Sequence, residues 1–172
     1  MKIIVIGLSG SGKSTFISKL CDKQVDRITP TTGIEKVKHI SGKGKAVQFW
    51  EISGIKLWTR NLLSIFYASL SIILIVDSSQ PNQFVLTKQF YTKFLDNLAE
   101  IHLLLSWKVI VVFTKVDLSN MSLEKLKHNF LLGTNIDNKL YRRCEFVLFS
   151  AFEENYQGFQ LIWNLIDELS SA

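Results

Sequence analysis

Eight consecutive residues, Gly7, Leu8, Ser9, Gly10, Ser11, Gly12, Lys13 and Ser14, have the types and spacing of a loop that wraps a phosphate chain, GxxxxGK[ST]. Its glycines let the backbone curl until successive N–H groups point inward. Lys13 then reaches the β and γ oxygens, and the Ser14 hydroxyl suits Mg²⁺. Thr15 carries the chain into the helix that the loop opens, and the N-terminus of that helix adds partial positive charge. A mere glycine-rich turn would not need a strand before it and a helix after it, and the sequence writes both. Transport ATPases and adenylate-type kinases use close variants, so the loop alone leaves ATP and GTP open.

A second set of residues bears on that choice. Thr114, Lys115, Val116 and Asp117, with Leu118 beside them, follow one apolar run, and Ser150 with Ala151 follows another. An Asp carboxylate can accept from the guanine N1–H and the exocyclic amine together, a donor pair that adenine lacks. A buried polar site mismatched in this way discriminates by about 10⁴ to 10⁵. The aliphatic stem of Lys115 would cover the base plane, and the Ala151 N–H would donate to guanine O6. Ordinary loop charges would explain either motif alone. Both together, in order and after successive core strands, point to guanine.

These groups need a scaffold that brings strand ends together, and the chain alternates accordingly. Strands are predicted at Lys2–Gly7, Val37–Ile40, Val47–Ile52, Ser71–Val76, Val109–Phe113 and Glu145–Phe149. Helices are predicted at Lys13–Cys21, Leu57–Ala68, Gln83–Leu105, from Ser122 onward, and at Phe159–Leu169. The turn Ser41–Lys45 reads as a hairpin and so adds one antiparallel strand. Continuous apolar strands separated by helices imply an α/β fold, a mostly parallel six-stranded sheet with one antiparallel edge strand and helices on both faces. Ligands of such sheets lie at the carboxyl ends of the strands, just after Ile6, Ile52, Phe113 and Phe149.

Composition narrows the class further. At 172 residues, with 47% apolar and 20% charged residues and two prolines, the chain reads as one folded domain over 1–172 and not as a disordered or low-complexity one. The 20 Lys and Arg against 15 Asp and Glu leave a net +5, which suits a polyphosphate ligand but falls short of a nucleic-acid binder. Lys36, Lys38, Lys43 and Lys45 cluster on the hairpin, as a solvated edge that discourages strand pairing or as a surface for an acidic partner or membrane. Without interleaved aromatics, nucleic acid is not expected there. Cys21 and Cys144 stand apart, so neither a disulfide framework nor a zinc site is encoded. No apolar run approaches the roughly 20 residues of a membrane span, and neither a direct lipid anchor nor a signal peptide is expected.

Pro30, Thr31, Thr32 and Gly33, then Trp50 to Gly54, then Val76, Asp77 and Ser78 complete a resemblance to the small GTPases, within them to the Arf and Arf-like branch, with its PTxG, WDxGG and VDS motifs. The resemblance implies a P-loop NTPase G domain that binds GTP and GDP with Mg²⁺. Thr31 would join Ser14 on the metal, and Glu51 would hold it through water. The Gly54 N–H would touch the γ-phosphate, and Gly54 and Lys13 would serve hydrolysis. Loss of the γ-phosphate would release both switch loops. Effectors, an exchange factor and an activating protein would read those loops on a monomer. The setting implied is vesicle or ciliary trafficking, from a cytoplasmic pool recruited to membranes or the cilium.

Several positions depart from the pattern. Ile55 stands where the family places the Gln that orients the attacking water, and an apolar side chain cannot do so. Ras hydrolyses GTP unaided at only about 10⁻⁴ s⁻¹ with its Gln in place, so slow turnover is expected here. Glu51 replaces Asp and lengthens the arm toward Mg²⁺, and Thr114 replaces Asn and is expected to bridge to the phosphate loop less firmly. The first strand is expected at Lys2, so the amphipathic helix that couples Arf relatives to membranes is not expected before it. The aromatic trio read by effectors maps to Ile34, Trp50 and Ile65, which implies different partners. Two alternatives stay open: a GTP-bound scaffold that never cycles, and a P-loop ATPase or kinase in which Asp77 holds the metal.

Overall fold

The computed structural model describes residues 1–24, 33–52, 69, 71–99, 108–131, 144–152 and 157–169. The strands are β1 (Lys2–Gly7), β2 (Ile34–Ile40), β3 (Ala46–Ile52), β4 (Ser71–Asp77), β5 (Lys108–Thr114) and β6 (Cys144–Leu148). The helices are α1 (Lys13–Leu20), α2 (Phe84–Ala99), α3 (Leu123–Leu131) and α4 (Gln157–Leu169). The predicted helix Leu57–Ala68, the continuation of α2 from 100 to 105, and Thr31, Ser53, Gly54, Ile55 and Ile65 lie outside the described residues.

Six strands form one sheet in the order β2-β3-β1-β4-β5-β6. Only β2 runs antiparallel, paired with β3 through the hairpin, and every other neighbouring pair is parallel. The period of two along each strand divides the core between the faces. Ile4, Ile6, Ile72, Leu74, Val109, Val111 and Phe113 pack with Phe84, Phe90, Leu126 and Phe130 of α2 and α3. Ile3, Val5, Ile73, Ile75, Ile110 and Val112 pack on the opposite face with Phe16 and Ile17 of α1 and with Ile162 and Ile166 of α4. Strands buried on both faces need no alternation, which is why β4 is apolar from Ile72 to Val76 and wholly buried.

β2 starts three residues before the predicted Val37, pairing Ile34 with Ile52, Glu35 with Glu51 and Lys36 with Trp50. An edge strand has one free flank, so charged side chains there carry no apolar signature. The hairpin is tied to α4: Lys43 pairs with Asp167 at 3.3 Å, Lys45 Nζ donates to the Asp167 carbonyl at 3.2 Å, and His39 lies against Trp163. The Trp50 ring sits near the ammonium groups of Lys2 and Lys36, at 4.0 and 3.8 Å from its centroid. Much of the hairpin lysine cluster is therefore engaged within the molecule. No helix among the described residues is long and apolar enough to cross a membrane.

Candidate nucleotide site

The loop between β1 and α1 is shaped by its glycines. Gly10 and Gly12 have φ of 74° and 91°, conformations that side-chain-bearing residues rarely adopt, and Gly12 stands at the start of α1. Gly7 is fixed by crowding, since a Cβ there would lie 2.5 Å from the Ile75 carbonyl oxygen of β4 and 2.9 Å from Ser11 Oγ. Lys13, largely buried, donates to the carbonyls of Gly7 and Leu8 at 3.2 and 2.8 Å, which holds its ammonium across the loop. Burial lowers the Lys13 pKa, and the Glu51 carboxylate acts against that shift.

Next to Lys13, the Ser14 hydroxyl donates to Glu51 Oε1 at 2.8 Å. Glu51 leaves β3 buried, and its longer arm spans the gap directly. A hydroxyl beside a carboxylate is a hard-oxygen donor set, so these residues fit Mg²⁺. Asp77, the other candidate carboxylate, faces elsewhere. Its Oδ2 receives Lys115 Nζ at 2.7 Å, and its Oδ1 receives the Ser79 N–H at 3.0 Å and the Ser79 hydroxyl at 2.6 Å. The metal role that the ATPase alternative assigned to Asp77 is therefore not the role its contacts describe.

The residues after β5 fasten themselves to the phosphate loop. Thr114 Oγ1 lies 2.7 Å from the Ser11 carbonyl and 3.2 Å from that of Val76. The bridge to the loop exists despite the shorter side chain, because β5 and the loop approach closely enough for a β-hydroxyl. Lys115 adopts a left-handed φ of 56°, which turns its side chain back so that Nζ also donates to the Gly10 carbonyl at 3.0 Å. One residue turn further, the Ser150 hydroxyl donates to Asp117 Oδ1 at 2.8 Å, and the Phe152 N–H donates to Ser150 Oγ at 3.2 Å. Two loops far apart in sequence thus meet through the acid that the sequence assigned to the base. Leu118 is 68% exposed beside it.

A cavity of about 650 Å³ opens between the C-terminal half of α1 and the segment after β6, lined by Thr15, Lys19, Asp22, Lys23, Gln24, Ala151 and Phe152. Thr15 and Ala151 were expected at the ligand. Phe152, Lys19 and the residues after α1, Asp22 to Gln24, were not, since no motif marks them. Phe152 follows the Ser150–Ala151 pair directly and is 84% exposed, a large apolar side chain at a loop that carries site residues, and that was the one available signal. Among the predicted site residues, Gly7 to Thr15, Glu51, Thr114, Lys115, Asp117, Ser150 and Ala151 gather along one edge of the sheet, while Thr31 and Gly54 lie outside the described residues.

Comparison with known proteins agrees with this geometry. The profile of the ADP-ribosylation factor family matches residues 1–164. ADP-ribosylation factor J of Dictyostelium discoideum is 27% identical over 172 positions, covering 96% of this chain and 85% of its own length. Ras-related protein RABC2b of Arabidopsis thaliana is 25% identical over 160 residues, covering 91% and 74%. ADP-ribosylation factor-like protein 3 of Chlamydomonas reinhardtii is 31% identical over 82 residues, 48% of this chain and 46% of that protein. In three dimensions a chain of the mammalian SRP receptor superposes with a TM-score of 0.77 at 16% identity, covering 98% of this chain and all of that one, a likeness of fold. With a family profile that spans nearly its whole length, the chain belongs to the ADP-ribosylation factor family as a divergent small GTPase.

Proposed function

We propose that this protein is a Mg²⁺-dependent guanine-nucleotide switch whose own hydrolysis of GTP is slow. The reading is carried by the Ser150–Asp117 hydrogen bond at 2.8 Å, which holds a carboxylate ready for the guanine N1–H and amine. Gly7 to Ser14 wrap the phosphates, Lys13 balances charge on the β and γ oxygens, and Thr15 continues that contact into α1. Lys115 covers the base, and the Ala151 N–H donates to O6. Ser14 and Thr31, with Glu51 through water, would hold the metal, which when bound offsets charge on the phosphate oxygens. Gly54 meets the γ-phosphate, and Ile55 leaves the attacking water without a side-chain partner.

Family membership supports a role in intracellular trafficking, with effectors, an exchange factor and an activating protein reading the switch loops of a monomer recruited from the cytoplasm. Ile55 favours a second reading, a GTP-loaded scaffold that does not cycle. Single-turnover hydrolysis of bound GTP, alone and with cell extract, separates the two. Slow release of phosphate that extract accelerates is expected for the switch, and no phosphate over hours under either condition would select the scaffold.

A further inference from the structure

Asp77 ends β4 with its side chain only 5% exposed, and a carboxylate buried to that degree requires a charged partner. It has one in Lys115, at 2.7 Å, and its other oxygen is fixed by the backbone and hydroxyl of Ser79. Lys115 is held in a left-handed backbone conformation that is unfavourable for a lysine and persists only where contacts impose it. Its carbonyl accepts the Leu118 N–H at 3.0 Å, and its ammonium is held by Asp77 on one side and the Gly10 carbonyl of the phosphate loop on the other. The ammonium therefore joins the end of β4, the loop after β5 and the phosphate loop at a single point.

We infer that Asp77 is a positioning residue for nucleotide retention, acting through Lys115 to keep its aliphatic stem over the base and its head on the phosphate loop. This rests on the guanine reading above. Without the carboxylate, the ammonium keeps only a carbonyl acceptor and the lysine is free to leave the base face, so bound nucleotide escapes faster. Discrimination between bases is unaffected, because Asp117 is held separately by Ser150.

The test is the dissociation rate of a fluorescent GDP from the full chain and from Asp77→Asn, Lys115→Met and the double variant. Asparagine keeps an acceptor for the Ser79 N–H and removes the charge, and methionine keeps an apolar stem and removes the ammonium. Release about tenfold faster is expected from each single variant, the scale of one charge-assisted hydrogen bond in a partly exposed pair. The double variant should be no faster than Lys115→Met, because both changes break the same link. A wild-type rate in Asp77→Asn overturns the proposal, as does a double variant in which the two accelerations multiply. Should Asp77→Asn not fold, a wild-type rate in Lys115→Met overturns it equally. Failure of the unmodified protein to bind GDP at all is a different result, which removes the guanine reading and this inference with it.

Discussion

Glu51 shows how one methylene changes a site. One methylene longer than aspartate, the glutamate side chain puts its carboxylate 2.8 Å from Ser14 Oγ while staying buried in β3. If Ser14 and Glu51 hold the metal together, Glu51→Gln should raise the Mg²⁺ concentration needed to retain GDP by about ten- to a hundredfold, the usual cost of altering a group that supports a metal ligand. Titration of GDP release against free Mg²⁺ measures this, and an unchanged requirement would remove Glu51 from the metal site. The two cysteines offer a check on burial. Burial raises the thiols of both Cys21 and Cys144 to about 11, so a raised pKa leaves them protonated through neutral and mildly alkaline pH. At pH 8 the reactive thiolate is then only about one part in a thousand of each. A disulfide exchange reagent should label neither in the folded protein, label both in denaturant, and gain speed in the folded state only as pH approaches 11. Rapid labelling of the native chain at pH 8 would contradict the burial of Cys21 in the core at the end of α1 and the placing of Cys144 beside Tyr91.

Among elements, the phosphate loop meets β4 at close quarters. Gly7 leaves β1 paired with Ile75, and the loop can turn there only because no Cβ occupies the space beside the Ile75 carbonyl. Gly7→Ala should therefore destabilise the protein itself by about 1–3 kcal/mol, the cost of overpacking a rigid site, in addition to weakening nucleotide binding. The urea midpoint without nucleotide reads the first effect, and a wild-type midpoint would mean that the loop is free to shift away from β4. The same parallel ladder sets the rest of the site. Register between β4 and β5 pairs Asp77 with Thr114, which brings the end of one strand beside the start of the next loop and lets Lys115 turn back over both. On the far flank, Trp163 packs against Phe49 and His39, so α4 braces the hairpin that leads into Glu51.

Across the whole molecule, the six strands, the single antiparallel edge strand and the placing of Asp117 and Ser150 after successive core strands were legible in advance, because buried parallel strands write themselves as apolar runs and motifs at their ends fall at one end of the sheet. Three features were not. The first three residues of β2 were hidden by Glu35 and Lys36, which cost nothing on an open edge. Asp77 after an apolar strand reads like a metal ligand, and only the tertiary approach of Lys115 shows its actual partner. Phe152, Lys19 and Asp22 to Gln24 around the cavity follow no spacing rule, since a cavity wall is assembled from segments that are distant in sequence. The net charge of +5 also reads differently once Lys13, Lys115, Lys43 and Lys45 are seen to have partners inside the fold. The proposed selection of guanine rests on Asp117 and Ser150. Competition of unlabelled GDP and ADP against a fluorescent GDP, with Mg²⁺ present, addresses it. GDP should displace the probe stoichiometrically while ADP needs a concentration about 10⁴-fold higher or more, and displacement by ADP at a concentration comparable to that of GDP would contradict the assignment of Asp117 and Ser150.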